Sequence, residues 1–135
     1  MKKVAVSGYF DPLHIGHLEY LKLAKSLGDY LIVIVNSNYQ CKIKKGKPFM
    51  DEKDRLEIVR NLKMVDEVFL SIDKDKTVCK SLEKIRPDIF ANGGDRSTDE
   101  VPETVICNKY KIKMIDGLGD KIRSSSGLTG LKQIK

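Results

Sequence analysis

The only two histidines of the chain, His14 and His17, lie three residues apart in the segment GYFDPLHIGH (8–17). This segment runs from the end of a predicted strand into the start of a predicted helix, where free backbone amides readily bind phosphate. Residues i and i+3 of a helix face the same way, so both imidazoles can donate hydrogen bonds to one ligand. Gly16 leaves room for a phosphate to approach the backbone. The pattern predicts a phosphate site.

Two other interpretations of the histidine pair carry less weight. A zinc site needs further nitrogen or sulfur ligands, and neither a cysteine nor a third histidine lies nearby in the sequence. Asp11 is a candidate third ligand, although a carboxylate suits harder, oxygen-binding metals better. A chance pair is the remaining alternative. The preceding strand, the lead-in residues and the intervening glycine together favour phosphate binding over both.

The segment resembles the HxGH signature of the small nucleotidyltransferases of the cytidylyltransferase-like family. Within this family the sequence resembles glycerol-3-phosphate cytidylyltransferase and the nucleotidyltransferase domain of ADP-heptose synthase. The resemblance continues through AKSLGDYLIVIV, VDEV, PDIFANGGD and RSSS, in that order along the chain. It implies transfer of CMP or AMP from CTP or ATP to a phosphorylated polyol, sugar or headgroup, with release of pyrophosphate.

Catalysis is predicted for His14, His17 and one lysine of the segment CKIKKGKP (41–48), with Lys44 as first choice and Lys45 as second. The family uses a lysine of this segment over the triphosphate. A phosphate nucleophile is already anionic, so the reaction needs no general base. Positioning and stabilisation of charge at the attacked phosphate should therefore dominate the catalysis.

The remaining candidates follow from the resemblance and from their places at predicted strand ends. Nucleotide binding is predicted for Gly8, Tyr9, Phe10, Gly16, Gly93, Asp95, Arg123, Ser124 and Ser125. Acceptor binding is predicted for Asp11, Arg55, Lys63 and Arg96, and Asp11 and Asp95 are the candidate ligands of a Mg²⁺ cofactor. The serines can equally cap the last helix. Arg55 can equally be an ordinary exposed helix charge.

The elements that position these residues alternate along the chain between apolar runs and segments of helical period. Strands are predicted over 4–8, 30–37, 65–71, 88–94 and 111–116. Helices are predicted over 18–27, 51–63, 77–85 and 101–110 and after 124–126, whereas 41–48 is predicted to be a loop. Repeated β–α units predict a Rossmann-like α/β fold, with an open parallel five-stranded sheet, helices on both faces and a single domain over 1–135.

Composition limits the classes of function. The formal net charge of +6 suits a polyanionic partner such as a nucleotide. No apolar run approaches the roughly 20 residues that span a bilayer, and the N-terminal segment is predicted to be a strand rather than a signal peptide. The three cysteines show no CxxC spacing, so reduced thiols in a cytoplasmic protein are expected.

Two further functions stay open at this stage. Within the same chemistry, the chain can be an FAD-synthase-type adenylyltransferase that acts on FMN. In a different class, it can be a non-catalytic module that binds nucleotides or nucleic acid. Nucleic-acid partners are not expected, because CKIKKGK lacks interleaved aromatic residues. The choice between CTP and ATP, the acceptor and a homodimeric state are left undecided.

Overall fold

The computed structural model describes residues 1–93, 101–118, 130–131 and 133–134. Its main sheet contains five parallel strands in the order β3-β2-β1-β4-β5. The strands are β1 (Lys3–Gly8), β2 (Tyr30–Val35), β3 (Glu67–Leu70), β4 (Ile89–Gly93) and β5 (Lys113–Leu118). The helices are α1 (Ile15–Lys25), α2 (Asn38–Lys45), α3 (Glu52–Arg60), α4 (Cys79–Ile85) and α5 (Val101–Lys109). The predicted α/β fold is confirmed.

Helices cover both faces of the sheet, which explains why β2 is apolar along its length rather than at alternate positions. One core cluster packs the sheet against α1 and α3, through Val4, Val6, Leu21, Val33 and Val59. A second cluster packs the opposite face against α4 and α5, through Ala5, Ile34, Leu82, Phe90 and Cys107. Successive residues of β1 therefore contribute to different layers of the core.

The strand order indicates at which edge of the sheet a ligand can bind. From β1 the chain first moves outward through β2 and β3, and then returns to place β4 on the other side of β1. This reversal creates a crevice beyond the carboxyl ends of β1 and β4, the usual position of a ligand in such a sheet. The histidine segment follows β1 directly, so it lies at this crevice.

The segment 41–48, predicted as a loop, is largely helical. Ser37 caps α2, since its Oγ accepts from the backbone N–H of Gln40 at 3.2 Å and the Gln40 side chain accepts in return from the Ser37 N–H at 3.1 Å. The helix ends at Gly46, whose φ of 98° is strained for any residue with a side chain. Basic residues in its last turn face the negative end of the helix dipole.

Two other predictions can be compared with the structure. Instead of the predicted last helix, residues Gly130–Leu131 and Gln133–Ile134 form two short paired strands, β6 and β7. Cys41, Cys79 and Cys107 are free thiols. No helix in the described part of the chain is both long and apolar enough to cross a membrane.

Candidate active site

The two histidines form the N-terminal cap of α1. Nδ1 of His14 accepts a hydrogen bond from the backbone N–H of Gly16 at 3.1 Å. Nδ1 of His17 accepts from the backbone N–H of His14, also at 3.1 Å. This is a capping box in which two imidazoles replace the usual hydroxyl and carboxamide side chains. The imidazole rings stack with their centroids 3.8 Å apart.

The cap determines which ring nitrogen can donate. A neutral imidazole carries its proton on one nitrogen and accepts through the other. Because Nδ1 of both His14 and His17 accepts from the backbone, the proton of each neutral ring is on Nε2. The first turn of α1 contains no acidic residue. Two Nε2–H donors are thus available at the positive end of a helix dipole, where an anion is stabilised.

The surroundings of His17 favour its neutral form. Burial, and secondarily the neighbouring His14, lower the pKa of His17 from 6.5 to about 4. Phe10 contacts the ring edge to face, with centroids 5.0 Å apart, and is itself 2% exposed. The φ of Phe10 is 50°, in the left-handed region. The packing of its buried ring offsets the strain of this backbone conformation.

Gly8 and Gly16, both predicted to bind the nucleotide, leave space that side chains of the protein itself occupy. A Cβ at Gly8 would lie 2.7 Å from Cζ of Phe10, so the Phe10 ring requires a glycine there. A Cβ at Gly16 would lie 3.0 Å from Cε1 of His14. Gly16 therefore lets the His14 ring lie against the first turn of α1, which is a different reason from the predicted approach of a phosphate to the backbone.

Asp11, in the segment after β1, binds the end of α2 and the segment that follows it. Its side chain, 1% exposed, forms an ion pair with Lys45 at 2.7 Å and accepts from the backbone N–H groups of Phe49 and Met50 at 2.8 and 2.6 Å. Burial raises the pKa of the Asp11 carboxyl, but these hydrogen bonds outweigh it and hold the pKa below its ordinary value. The structure thus gives Asp11 contacts other than the predicted acceptor and metal contacts.

The two candidate lysines have different partners. Lys45 pairs with the buried Asp11 carboxylate, as described above. The Lys44 ammonium lies 4.5 Å from the centroid of the Tyr9 ring, in a cation–π contact. Burial is the main cause that raises the pKa of Tyr9. Tyr9 immediately follows β1, so its ring holds Lys44 beside the histidine segment. The geometry favours Lys44 over Lys45 for a phosphate ligand.

Arg55 does not lie at the surface, and its guanidinium donates to acceptors of the protein itself. It is fully buried, and its guanidinium donates to the carbonyl oxygens of Met50, Tyr9 and Asn36 at 3.0, 2.9 and 2.6 Å and to Oδ1 of Asn38 at 2.9 Å. These protein partners differ from the predicted contact with the acceptor, and they exclude the alternative of an ordinary exposed helix charge. Arg55 instead joins the segments that follow β1, β2 and α2, because a planar fork can reach several carbonyls at once.

Lys63 lies at the opposite edge of the sheet from the histidine segment, and its predicted contact with the acceptor stays a prediction. It is exposed in the turn between α3 and β3, next to the amino end of β3. His14 follows the carboxyl end of β1, and a six-residue strand separates the two edges by about 20 Å. Gly93, by contrast, ends β4 at the functional edge, after an irregularity in its pairing with β5.

The other predicted residues lie outside the described ranges. They are Asp95, Arg96, Arg123, Ser124 and Ser125. No group of three or more possible metal ligands occurs among residues with a described structure. Since the Asp11 carboxylate is already satisfied by Lys45 and two amides, the described residues do not fit a resident Mg²⁺.

Sequence reasoning missed a polar scaffold behind the site, formed by residues that follow β2. Gln40 is fully buried and donates to the carbonyl oxygens of Asp75 and Thr77 at 2.7 and 2.8 Å. Asn36 donates to Gln40 Oε1 at 3.1 Å. The sequence did contain a signal for this scaffold, because Ser37 and Gln40 have the spacing of a capping box.

Comparisons with known proteins agree with this geometry. Residues 5–124 match the family model described as cytidylyltransferase-like. An FAD synthase of Ferroglobus placidus is 47% identical over 100 residues, which cover 74% of this chain and 64% of that protein. This chain thus spans less than two thirds of that relative's length. An FAD synthase of Thermoplasma volcanium is 35% identical over 132 residues, which cover 95% of this chain and 92% of the relative.

A solved structure extends the comparison to three dimensions. The crystal structure of a lipopolysaccharide core biosynthesis protein from Thermoplasma volcanium superimposes with a TM-score of 0.75 at 35% identity. The superposition covers 86% of this chain and 95% of that one. The two related proteins therefore share the same fold over most of their length.

Proposed function

The chain belongs to the cytidylyltransferase-like family, and from this premise we propose that it is an adenylyltransferase that transfers AMP from ATP to FMN, forming FAD and pyrophosphate. The relatives named FAD synthase support this acceptor, and one of them matches the chain over nearly its whole length. The first choice from sequence, a phosphorylated polyol, sugar or headgroup, receives less support than the flavin alternative. The solved structure from Thermoplasma volcanium is described as a lipopolysaccharide core biosynthesis protein, a description that does not name an acceptor.

One observation carries the chemistry: Nε2–H groups on two stacked imidazoles at the N-terminus of α1. In the proposed reaction, a phosphate oxygen of FMN attacks the α-phosphorus of ATP. A new P–O bond forms, and the bond from the α-phosphorus to the bridging oxygen breaks, so that its electron pair leaves with pyrophosphate. His14 and His17 would donate to phosphate oxygens on which charge accumulates, from rings already oriented by the backbone.

Lys44 would add a positive charge on the triphosphate side. In the structure the Lys44 ammonium lies over the Tyr9 ring and forms no ion pair with any described residue, so its movement to a phosphate would break none of the ion pairs seen there. The FMN phosphate is already an anion, so no side chain is required as a general base. Mg²⁺ enters the proposal as part of the Mg·ATP substrate, and the candidate metal ligand Asp95 lies outside the described residues.

The test is a matrix of nucleotides and acceptors with the purified chain. Mg·ATP and Mg·CTP are each supplied with FMN, glycerol 3-phosphate or sugar phosphates, and both pyrophosphate and the nucleotide product are measured. We expect FAD and pyrophosphate in equal amounts from ATP with FMN, and from no other pair at a comparable rate. Preferential turnover of CTP or of a sugar phosphate would refute the proposed acceptor.

The matched controls keep the helix cap and remove the imidazoles. Asn at position 14 is a good N-cap, and Gln at position 17 can still accept from the N–H of residue 14. His14→Asn and His17→Gln should therefore fold normally but lose FAD formation. Full activity in either variant would show that the imidazole at that position is not needed.

A further inference from the structure

Phe49 is a large apolar side chain left in solvent beside the candidate active site. Its side chain is 77% exposed, although it lies in a short segment between α2 and α3 rather than at a chain end. Single exposed apolar side chains are common at protein surfaces, and Phe49 differs from most of them in its position beside the candidate site.

The backbone of Phe49 is fixed in place even though its ring is solvated. Its N–H donates to one oxygen of Asp11 at 2.8 Å, and the next N–H, that of Met50, donates to the other oxygen at 2.6 Å. Lys45 holds the same carboxylate from the opposite end of the segment. The Phe49 backbone is thus anchored to the loop that runs from β1 to the His14 cap.

We propose that Phe49 is the acceptor-binding platform, and that its ring stacks on the planar ring system of the flavin. This inference rests on the proposed function. Glycerol phosphate and sugar phosphates offer no flat aromatic surface, so an exposed ring would gain little from them. A flavin offers a broad planar face, and offset stacking on it would bury the Phe49 ring.

The first test separates acceptor binding from catalysis. Removal of the ring in Phe49→Ala should raise the KM for FMN about tenfold, as the loss of one aromatic stacking contact predicts. The KM for ATP should stay within about twofold, because the histidines and Lys44 are unchanged. Phe49→Tyr keeps a flat ring and should restore the KM, whereas Phe49→Leu keeps only the apolar character and should not.

The second test uses the absence of tryptophan from the sequence. Phe49→Trp places the sole indole of the chain at the proposed platform, and a stacked flavin quenches indole fluorescence. FMN should quench this variant saturably, with a midpoint that matches its KM. Ile58→Trp is the control, since Ile58 is 40% exposed near the end of α3 toward the amino edge of the sheet and should show only the linear attenuation that a coloured solute causes.

The outcomes separate the inference from the proposed function. If the wild type makes FAD but Phe49→Ala keeps the KM for FMN and Phe49→Trp shows no saturable quenching, the platform is wrong and the function stands. If the wild type makes no FAD and FMN quenches neither tryptophan variant beyond attenuation, both are wrong. Saturable quenching at Phe49→Trp without FAD formation would overturn the reaction alone.

Discussion

The ring of His17 accepts a hydrogen bond from the backbone N–H of His14, and the ring of His14 accepts from the backbone N–H of Gly16, which lies between the two histidines. Each bond occupies Nδ1 and leaves Nε2 to carry the proton. The chemistry of the site and the start of α1 are therefore specified by the same two hydrogen bonds. This relationship yields the first two predictions.

In their neutral forms both imidazoles should carry the proton on Nε2. Nitrogen-15 NMR of the histidine rings distinguishes the two tautomers, and the chain has only two histidines to assign. His17 should remain neutral well below pH 6.5, because its pKa is lowered to about 4. A His17 ring that carries its proton on Nδ1, or that titrates near 6.5, would contradict the capping geometry.

The same pKa predicts how stability depends on pH. In the unfolded chain His17 binds a proton near pH 6.5, whereas in the folded chain it does so near pH 4. Between these values the unfolded state binds more protons, so the free energy of unfolding should decrease as the pH falls from about 6.5 to about 4. Urea unfolding across this range should show a smaller decrease in His17→Gln than in the wild type.

Substitutions at His14 should separate capping from catalysis. His14→Ala loses both functions, and its free energy of unfolding should fall by about 1 kcal/mol. His14→Asn restores a cap acceptor but not the Nε2–H donor, so its stability should approach that of the wild type. Both variants should lose about 10²–10³-fold in kcat, the effect of removing one preorganised donor. Wild-type activity in His14→Asn would show that His14 caps the helix and takes no part in catalysis.

The neighbouring lysines should respond differently to removal. Lys44→Ala should raise the KM for ATP about tenfold, the equivalent of one lost charge-assisted contact, with little change in stability. Lys45→Ala leaves the buried Asp11 carboxylate without its ion-pair partner, and should lower the free energy of unfolding by about 1 kcal/mol. Steady-state kinetics and urea unfolding of both variants provide the comparison. A raised KM for ATP in Lys45→Ala, with lost stability in Lys44→Ala, would show that Lys45 binds ATP and that Lys44 is structural.

Replacement of Arg55 should act mainly through stability. Arg55→Met leaves several buried carbonyl oxygens without donors, and a loss of about 3 kcal/mol in the free energy of unfolding is expected. Arg55→Lys should be nearly as damaging, since an ammonium cannot reproduce the planar fork. Arg60→Lys, at an exposed position on the same helix, is the control and should unfold like the wild type. Wild-type stability of Arg55→Met would show that the buried network contributes little.

The sequence predicted the sheet, its parallel connections and the histidine segment well, because apolar runs and a strand–helix junction are local signals. The lysine-rich helix α2 was missed, since Gly46 and Pro48 resemble loop residues while the cap at Ser37 and Gln40 is less conspicuous. The burial of Arg55 could not be foreseen, because its carbonyl partners come from three separate segments.

The position of Lys63 could not be predicted for another reason. Its role was inferred from its place in a family pattern, and such a pattern carries no information on which edge of the sheet a turn occupies. Only the direction of β3 places it at the amino edge. The contacts of Asp11 were likewise hidden, because they involve backbone groups of Phe49 and Met50 that have no signature in residue types.

The strand order also has a consequence for how the chain folds. Lys3 of β1 pairs with Tyr30, whereas Val4 of the same strand pairs with Ile89, a contact that closes a much longer loop. Since the entropy of loop closure grows with length, the β1–β2 pairing should form first and recruit β4 later. His14, His17 and Lys44 all precede β3 in the chain. The half of the sheet that assembles early therefore already contains the residues proposed to bind phosphate, and the later half completes the crevice beside them.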